Sequence, residues 1–314
     1  MEHYDRNSAL AARRNQLIRE KMFGEAMLKD SAIFRGANVL NLFCGNCGIA
    51  MLAIEAGARH VVAIDTILNA NAARRIVRAS GLSHRITVFA VEARNMRWAG
   101  LQFDILLCAW MDDMAVFQGR VSDLIVARDR FLRMGGIIYP YILRVSIGAV
   151  QDSVSWETTH NLIKATMGNR NLQKIEMKRP VLGYLESKHI VTTFKEILLF
   201  DLYKITLADL NREQFFTLKA VRDAPIHSLC TVFESLVMRP NGPVPLTHSH
   251  FTLDHRHTFF YLDTQMKACV GATIVGKFTQ MRCNQRTRMQ KVEFTLEYEG
   301  PNGNYSVQGT YHAR

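Results

Sequence analysis

The chain is poor in cysteine. It has six in 314 residues, too few for a disulfide scaffold, so a reducing compartment is expected. Long apolar runs are absent. Nothing approaches the ~18 residues needed to span a bilayer. The first residues, Met1-Glu-His-Tyr-Asp-Arg6, form no apolar signal core, and the cytoplasm is expected over secretion. Internal repeats and low-complexity tracts are also absent. So is the Gly-Phe-x-Phe strand core of a common RNA-binding module. Acids are in deficit: 28 Asp and Glu stand against 39 Lys and Arg, a net charge of +11. The basic residues are scattered, which reads first as solubility with a weak liking for polyanions. An RNA or acidic partner is the sharper reading.

What is present is ordinary globular composition, 48% apolar and 21% charged, in a chain long enough for two domains. Residues 8–29 have helical spacing, with Ser8 as a candidate cap and a cationic face at Arg13, Arg14 and Arg19. From Val39 the pattern alternates. A strand enters the turn Phe43-Cys-Gly-Asn-Cys-Gly48, and a helix ends at Gly57. A second buried strand, His60–Asp65, ends in an acid where a ribose-binding carboxylate is expected. Helix 69–80, strand 85–90, strand Phe103–Cys108 and helix Val121–Leu132, closed by Gly135-Gly136, follow. This alternation predicts a doubly wound parallel sheet.

After Pro140 the rhythm becomes apolar–polar alternation in segments 142–151, 190–207, 214–221, 228–238, 257–263, 272–280, 291–298 and 304–311. That predicts an antiparallel β-barrel domain. Residues 154–179 interrupt it with helical spacing. A helical excursion from a β domain must bury its apolar side somewhere, and a partner subunit is the simplest place. The predicted organisation is 1–30 helical, 31–140 Rossmann-like, and 141–314 barrel with an inserted arm.

Individual motifs are weak. The turn at 43–48 reads as a tight strand-to-helix connection rather than a working nucleotide site, because Phe43 would fill ligand space. Cys44-Gly-Asn-Cys47 has CxxC spacing but ends a buried strand. His248, His250, His255 and His257 lack a second clustered ligand set and read as polar loop residues. Asp112 and Asp113 read as helix caps or solvent-facing acids, with a shifted catalytic role as the alternative.

The ordered segments Val39-Leu-Asn-Leu-Phe-Cys-Gly, Gly57-Ala-Arg-His-Val-Val-Ala-Ile-Asp65, Phe103-Asp-Ile-Leu-Leu-Cys-Ala-Trp-Met111, Ala127-Arg-Asp-Arg-Phe-Leu-Arg-Met-Gly-Gly136 and Ile137-Ile-Tyr-Pro140 resemble the protein arginine methyltransferase core. The similarity covers nearly the whole chain. It implies a Rossmann-like methyltransferase domain, a β-barrel with a helical dimerisation arm, S-adenosylmethionine as family cofactor and arginine side chains as family substrate. It also implies dimers in which the arm of one subunit meets the cofactor domain of the other.

The resemblance places absences where the family keeps acids and glycines. The two loop glutamates that hold the substrate guanidinium match Ala109 and Gln118. The first-motif acid and three glycines match Asn41, Phe43, Gly45 and Cys47. The ribose acid is kept as Asp65, the adenine acid matches Arg94, and the arginine for the cofactor carboxylate matches Arg19. The barrel histidine is replaced at Asp254. The joint pattern resembles the inactive prozyme subunit of the heteromeric type I enzyme of kinetoplastids. The expectation is a pseudoenzyme with no cofactor, its site blocked by Phe43 and Arg94 and with Arg19, Gly45 and Asp65 vestigial. It would pair with an active paralogue as a heterodimer or heterotetramer through Trp156, Leu162 and Ile163. Two alternatives stand beside it: an atypical active methyltransferase using Asp112 or Asp113, and an RNA-binding scaffold.

Overall fold

The computed structural model describes residues 2–98, 100–109, 120–158, 180–246, 256–282 and 290–313. A long helix α1 (Glu2–Lys29) and a single turn α2 (Ser31–Phe34) precede the sheet. Ser8, expected as a cap, lies inside α1, because the helix begins earlier than the apolar spacing indicates. Five strands follow: β1 (Asn38–Leu42), β2 (His60–Asp65), β3 (Ile86–Ala90), β4 (Phe103–Cys108) and β5 (Leu132–Tyr139). They pair in parallel in the order β3-β2-β1-β4-β5. The crossovers are α3 (Gly48–Glu55), α4 (Ile67–Ala79) and α5 (Arg120–Phe131). Strands β1 and β2 read as apolar runs because helices cover both faces of the sheet.

Helix α3 ends as its sequence predicts. Gly57 takes φ 109°, and its N–H reaches the Ile54 carbonyl while the Ala58 N–H reaches Ala53. This double bond pattern satisfies the last carbonyls of a helix. The expected closure of α5 by Gly135-Gly136 differs. The helix runs directly into β5 at Leu132, and Gly135, at φ 71°, sits where the β4–β5 register slips between Phe103 and Ile105. The two glycines therefore serve a bulge rather than a helix end.

A cis Tyr139–Pro140 peptide leads into the antiparallel half. Its first sheet joins β6 (Ile142–Val150), β7 (Val181–Gly183), β8 (Lys195–Asp201), β10 (Ala224–Arg239), β11 (Gly242–Pro245) and β12 (His257–Ala268). Its second joins β9 (Arg212–Lys219), β13 (Thr273–Arg282), β14 (Gln290–Gly300) and β15 (Gly303–Ala313). Strands β7 and β11 are additions to the sequence reading, and the 190–207 segment shortens to β8. Short edge pieces carry too few residues for alternation to register. The two sheets share one core, where Phe260 meets Phe294 at 4.8 Å and Tyr311 at 5.0 Å between centroids.

The N-terminal helices are tied to both halves by one buried charge. Asp30, 8% exposed, accepts from Arg239 Nε at 2.9 Å and from the Tyr139 hydroxyl at 3.0 Å. Burial, with the Asp30 charge, pushes the Tyr139 phenol well above its usual pKa. Replacing Arg239 by Met strands the carboxylate. It is expected to cost about 3 kcal/mol in urea unfolding, with Asp30→Asn in that background recovering part of the loss. A cost below about 1 kcal/mol contradicts this role for the triad.

Candidate functional site

In an open α/β sheet, ligands sit outside the carboxyl ends of the strands where the order reverses. Here that position lies between β1 and β4. Two cavities occupy it. One, of about 140 Å³, is lined by Thr66, Val91, Glu92 and Asp123 among others. The second, of about 210 Å³, lies toward α1 against Arg19, Asn41, Gly45, Asn46 and Ala109. Phe43, Asp65, Asn69 and Arg120 line both.

The turn between β1 and α3 has a distinctive backbone. Phe43, Gly45 and Cys47 take φ of 54°, 54° and 67°. That left-handed region costs a bulky L-residue roughly 1–3 kcal/mol. Two of the three positions therefore keep a glycine conformation while carrying side chains. The Phe43 ring rests against the core, with the Arg120 guanidinium 5.1 Å from its centroid, a cation–π contact that offsets part of the strain. Gly45 alone is open: a Cβ there would meet no atom within 4 Å.

Asp65 ends β2 as expected and turns its carboxylate onto the chain itself. One oxygen accepts the Gly45 N–H at 2.8 Å, and the other accepts the Thr66 N–H at 2.7 Å and the Asn69 amide at 2.9 Å. Asn41 is 1% exposed, and its Nδ2 donates to the carbonyls of Leu42 and Leu107. Ala109, 8% exposed, closes β4 and supplies only a methyl to the larger cavity.

Arg94 requires a correction. It lines neither cavity. The 3-10 turn Ala93–Asn95 carries it outward, where its Nε donates to Glu92 at 2.8 Å. Glu92, two residues earlier, lines the smaller cavity together with Asp65 and Asp123. Arg19 does line the larger cavity. Trp156, expected at the subunit interface, sits at the root of the arm against the barrel. It is half-buried, and its indole N–H donates to the Leu262 carbonyl at 2.8 Å while its ring lies 5.5 Å from that of His227. Asp152 caps the adjoining helical residues 153–158 by accepting the Ser155 N–H, and it also accepts from the Tyr261 hydroxyl at 2.6 Å. Trp156 thus roots the arm to the barrel. Asp112, Asp113, Gln118, Leu162, Ile163, His248, His250, Asp254 and His255 lie outside the described residues.

Glu20 was not singled out by the sequence. Its Oε1 accepts from Gln16 at 3.0 Å and from Asn46 at 3.1 Å, and the Asn46 Oδ1 accepts the Gly48 N–H at 2.9 Å. A Cβ on Gly48 would collide with the Glu20 carboxylate, so this glycine admits it against the start of α3. The contact pins α1 over the larger cavity. The Cys44 thiol, hydrogen-bonded to Cys47 and buried, has its pKa pushed far up, which makes it a poor nucleophile. Among the described residues no cluster of three metal-ligating side chains occurs.

S-adenosylmethionine joins an adenosine to an amino acid through a sulfonium. A ligand of that length needs both compartments at once. Phe43 and Arg120 stand where the compartments meet, and both Asp65 oxygens already accept protein donors. The residues present do not fit the cofactor as one ligand.

Comparison with known proteins comes from sequence and from structure. Residues 145–301 match the arginine methyltransferase oligomerization subdomain. The chain is 25% identical to protein arginine N-methyltransferase 1 of Saccharomyces cerevisiae over 295 residues, covering 91% of this chain and 85% of that protein. It is 25% identical to its Dictyostelium discoideum namesake, covering 95% and 88%. Its fold is similar to a chain of the Trypanosoma brucei PRMT1 enzyme–prozyme heterotetrameric complex with AdoHcy, with a TM-score of 0.83, 20% identity and 94% coverage of each chain. Arabidopsis thaliana protein arginine methyltransferase 10 gives a TM-score of 0.79 at 18% identity and the same coverage.

Two outcomes follow from the site geometry. Glu20→Ala should accelerate amide hydrogen exchange over residues 13–20, leaving 23–29 protected by the fully buried Phe23 and Met27. Unchanged exchange over 13–20 contradicts the pinning role. Iodoacetamide at pH 8 should spare Cys44 in the folded protein, as mass spectrometry of its peptides will read, whereas rapid Cys44 labelling contradicts its inertness.

Proposed function

The chain belongs to the protein arginine methyltransferase family, and we propose that within it this protein is a catalytically inactive subunit that binds and activates, or stabilises, an active type I paralogue. The observation that carries the reading is Phe43, a ring held at a glycine backbone angle at the junction of the two cavities. Ala109 adds to it. A guanidinium is always charged, and the family's chemistry needs carboxylates to hold it and leave one nitrogen nucleophilic. With a methyl at 109 and an amide at 118, a buried guanidinium loses about 3–5 kcal/mol of compensation. At ~1.4 kcal/mol per decade this removes roughly 10²–10³ in binding or rate.

Binding to the paralogue uses surfaces that catalysis does not. Leu17 and Leu28 on α1 and Ile67 and Leu68 on α4 expose large apolar side chains, 59%, 49%, 67% and 80%. These are the residues against which the partner's arm docks. Reciprocally, the arm of this chain, rooted by Trp156 and reaching through Leu162 and Ile163, docks on the partner. The pairing is a heterodimer that doubles into a heterotetramer, as in the solved Trypanosoma brucei complex, and it resides in the cytoplasm. No helix among the described residues is long and apolar enough to cross a membrane. S-adenosylmethionine binds the paralogue and not this chain.

One observation favours a second reading. Glu92, Asp65 and Asp123 keep three acids on the smaller cavity, so an atypical active enzyme would retain an adenosine-sized compartment. A methylation assay separates the two. This chain alone should leave a Gly-Arg-rich peptide unmethylated, and mixing it with the active paralogue should yield one size-exclusion peak with raised activity. Turnover by the chain alone at the rate of an active relative contradicts the proposal. Ile67→Glu with Leu68→Glu should abolish the shared peak. Ala109→Glu with Gln118→Glu should restore no turnover.

A further inference from the structure

The parallel sheet has a second end, away from the cleft, where the amino ends of its strands emerge. Between Glu55 and Glu92 the chain carries five arginines, two histidines and one acid, Asp65, and Asp65 belongs to the cleft end. The topology gathers most of those arginines at the opposite rim. Helix α4 runs back from the cleft, so Arg75 and Arg78 lie in its last turns, three residues apart on one face. Arg59 enters β2 and Arg85 enters β3, and the Val61 N–H bonds to the Arg85 carbonyl at 2.9 Å. Arg35 lies against Gly57, which a Cβ would bring to 3.3 Å of its Cα. Arg35, Arg59, Arg75 and Arg78 are exposed.

Among the described residues none of these five arginines forms an ion pair. The basic residues of the neighbouring edge are compensated differently: Arg133 pairs with Asp104 at 2.7 Å. Glu55, which closes α3 nearby, is paired with none of the five. Like charges held together without counter-ions repel, and the arrangement is favourable only when an external anion supplies the charge.

We propose that this rim binds the phosphate backbone of an RNA duplex. Its chemistry separates that ligand from an acidic peptide. A protein interface needs a large apolar or aromatic anchor, and no large hydrophobic side chain is exposed between Leu68 and Phe89. Ala79, Ser80, Gly81, Ser83 and His84 are the exposed residues between Arg78 and Arg85. Planar guanidinium forks match phosphate oxygens. No Phe, Tyr or Trp is exposed between Leu68 and Phe89 to stack a splayed base, and His84 is an exposed imidazole on the segment, so recognition rests mainly on backbone and shape, as for double-stranded RNA. The rim lies at the opposite end of α4 from Ile67 and Leu68, so a bound duplex and a docked partner do not compete.

The test is fluorescence anisotropy of the full chain with a labelled 20-base-pair RNA duplex. Four to five neutralised phosphates predict an affinity that falls about 10²-fold between 50 and 200 mM salt. Arg75→Gln with Arg78→Gln should weaken binding at least fivefold and flatten the salt slope, with the circular-dichroism melt unchanged. Lys204→Gln, on the barrel and 85% exposed, should bind as the parent does. Absence of binding at 50 mM salt overturns the proposal. So does equal binding by the double variant, or poly-glutamate competing as well as RNA at matched charge.

Discussion

A glycine backbone without its glycines is the constraint on which this molecule turns. Three left-handed residues in the β1–α3 connection set where α3 begins and how close the chain passes to the cleft. Two of them carry side chains, and the strain is borne by burial. Cys47 is fully enclosed, and Phe43 is clasped between the core and Arg120. Under the proposed function, the backbone path is retained without its chemical use. Asp65 then bonds to the turn it would otherwise face across a ligand, and the cleft is held together by its own residues.

The same economy extends to α1. An N-terminal helix over a ligand cleft gains order from the ligand it covers. Here Glu20 reaches Asn46 and Gly48 directly, and Asp30 locks the helix end to Tyr139 and Arg239. The second half of the helix is docked at two points by protein groups. Under the proposed function, this leaves a preformed surface for the paralogue at no cost in cofactor-dependent ordering.

The frame of the fold was legible because it rests on strong local signals. Strands β2 and β4 match their sequence limits, since β-branched and apolar runs bounded by turn residues leave little choice. The details that escaped depend on contacts across the chain. Gly135 reads as a helix stop from sequence alone, and only pairing with β4 reveals the bulge. The resemblance matches Arg94 to an acid of the cofactor site, whereas the chain turns Arg94 outward and leaves Glu92 on the cleft. Glu20 and Asn46 are ordinary polar residues until α1 packs on α3. Trp156 carries an apolar body and a polar tip, and its sequence cannot tell a barrel anchor from a subunit contact. Absences were the most informative letters: Ala109 is a methyl wherever the chain places it.

The central claim is that the cleft no longer admits S-adenosylmethionine as one ligand. Isothermal titration calorimetry of the purified chain with S-adenosylmethionine tests it directly. The account predicts no saturable heat at ligand concentrations up to the millimolar range, which corresponds to a binding free energy weaker than about −4 kcal/mol. A one-to-one isotherm with micromolar affinity would contradict it.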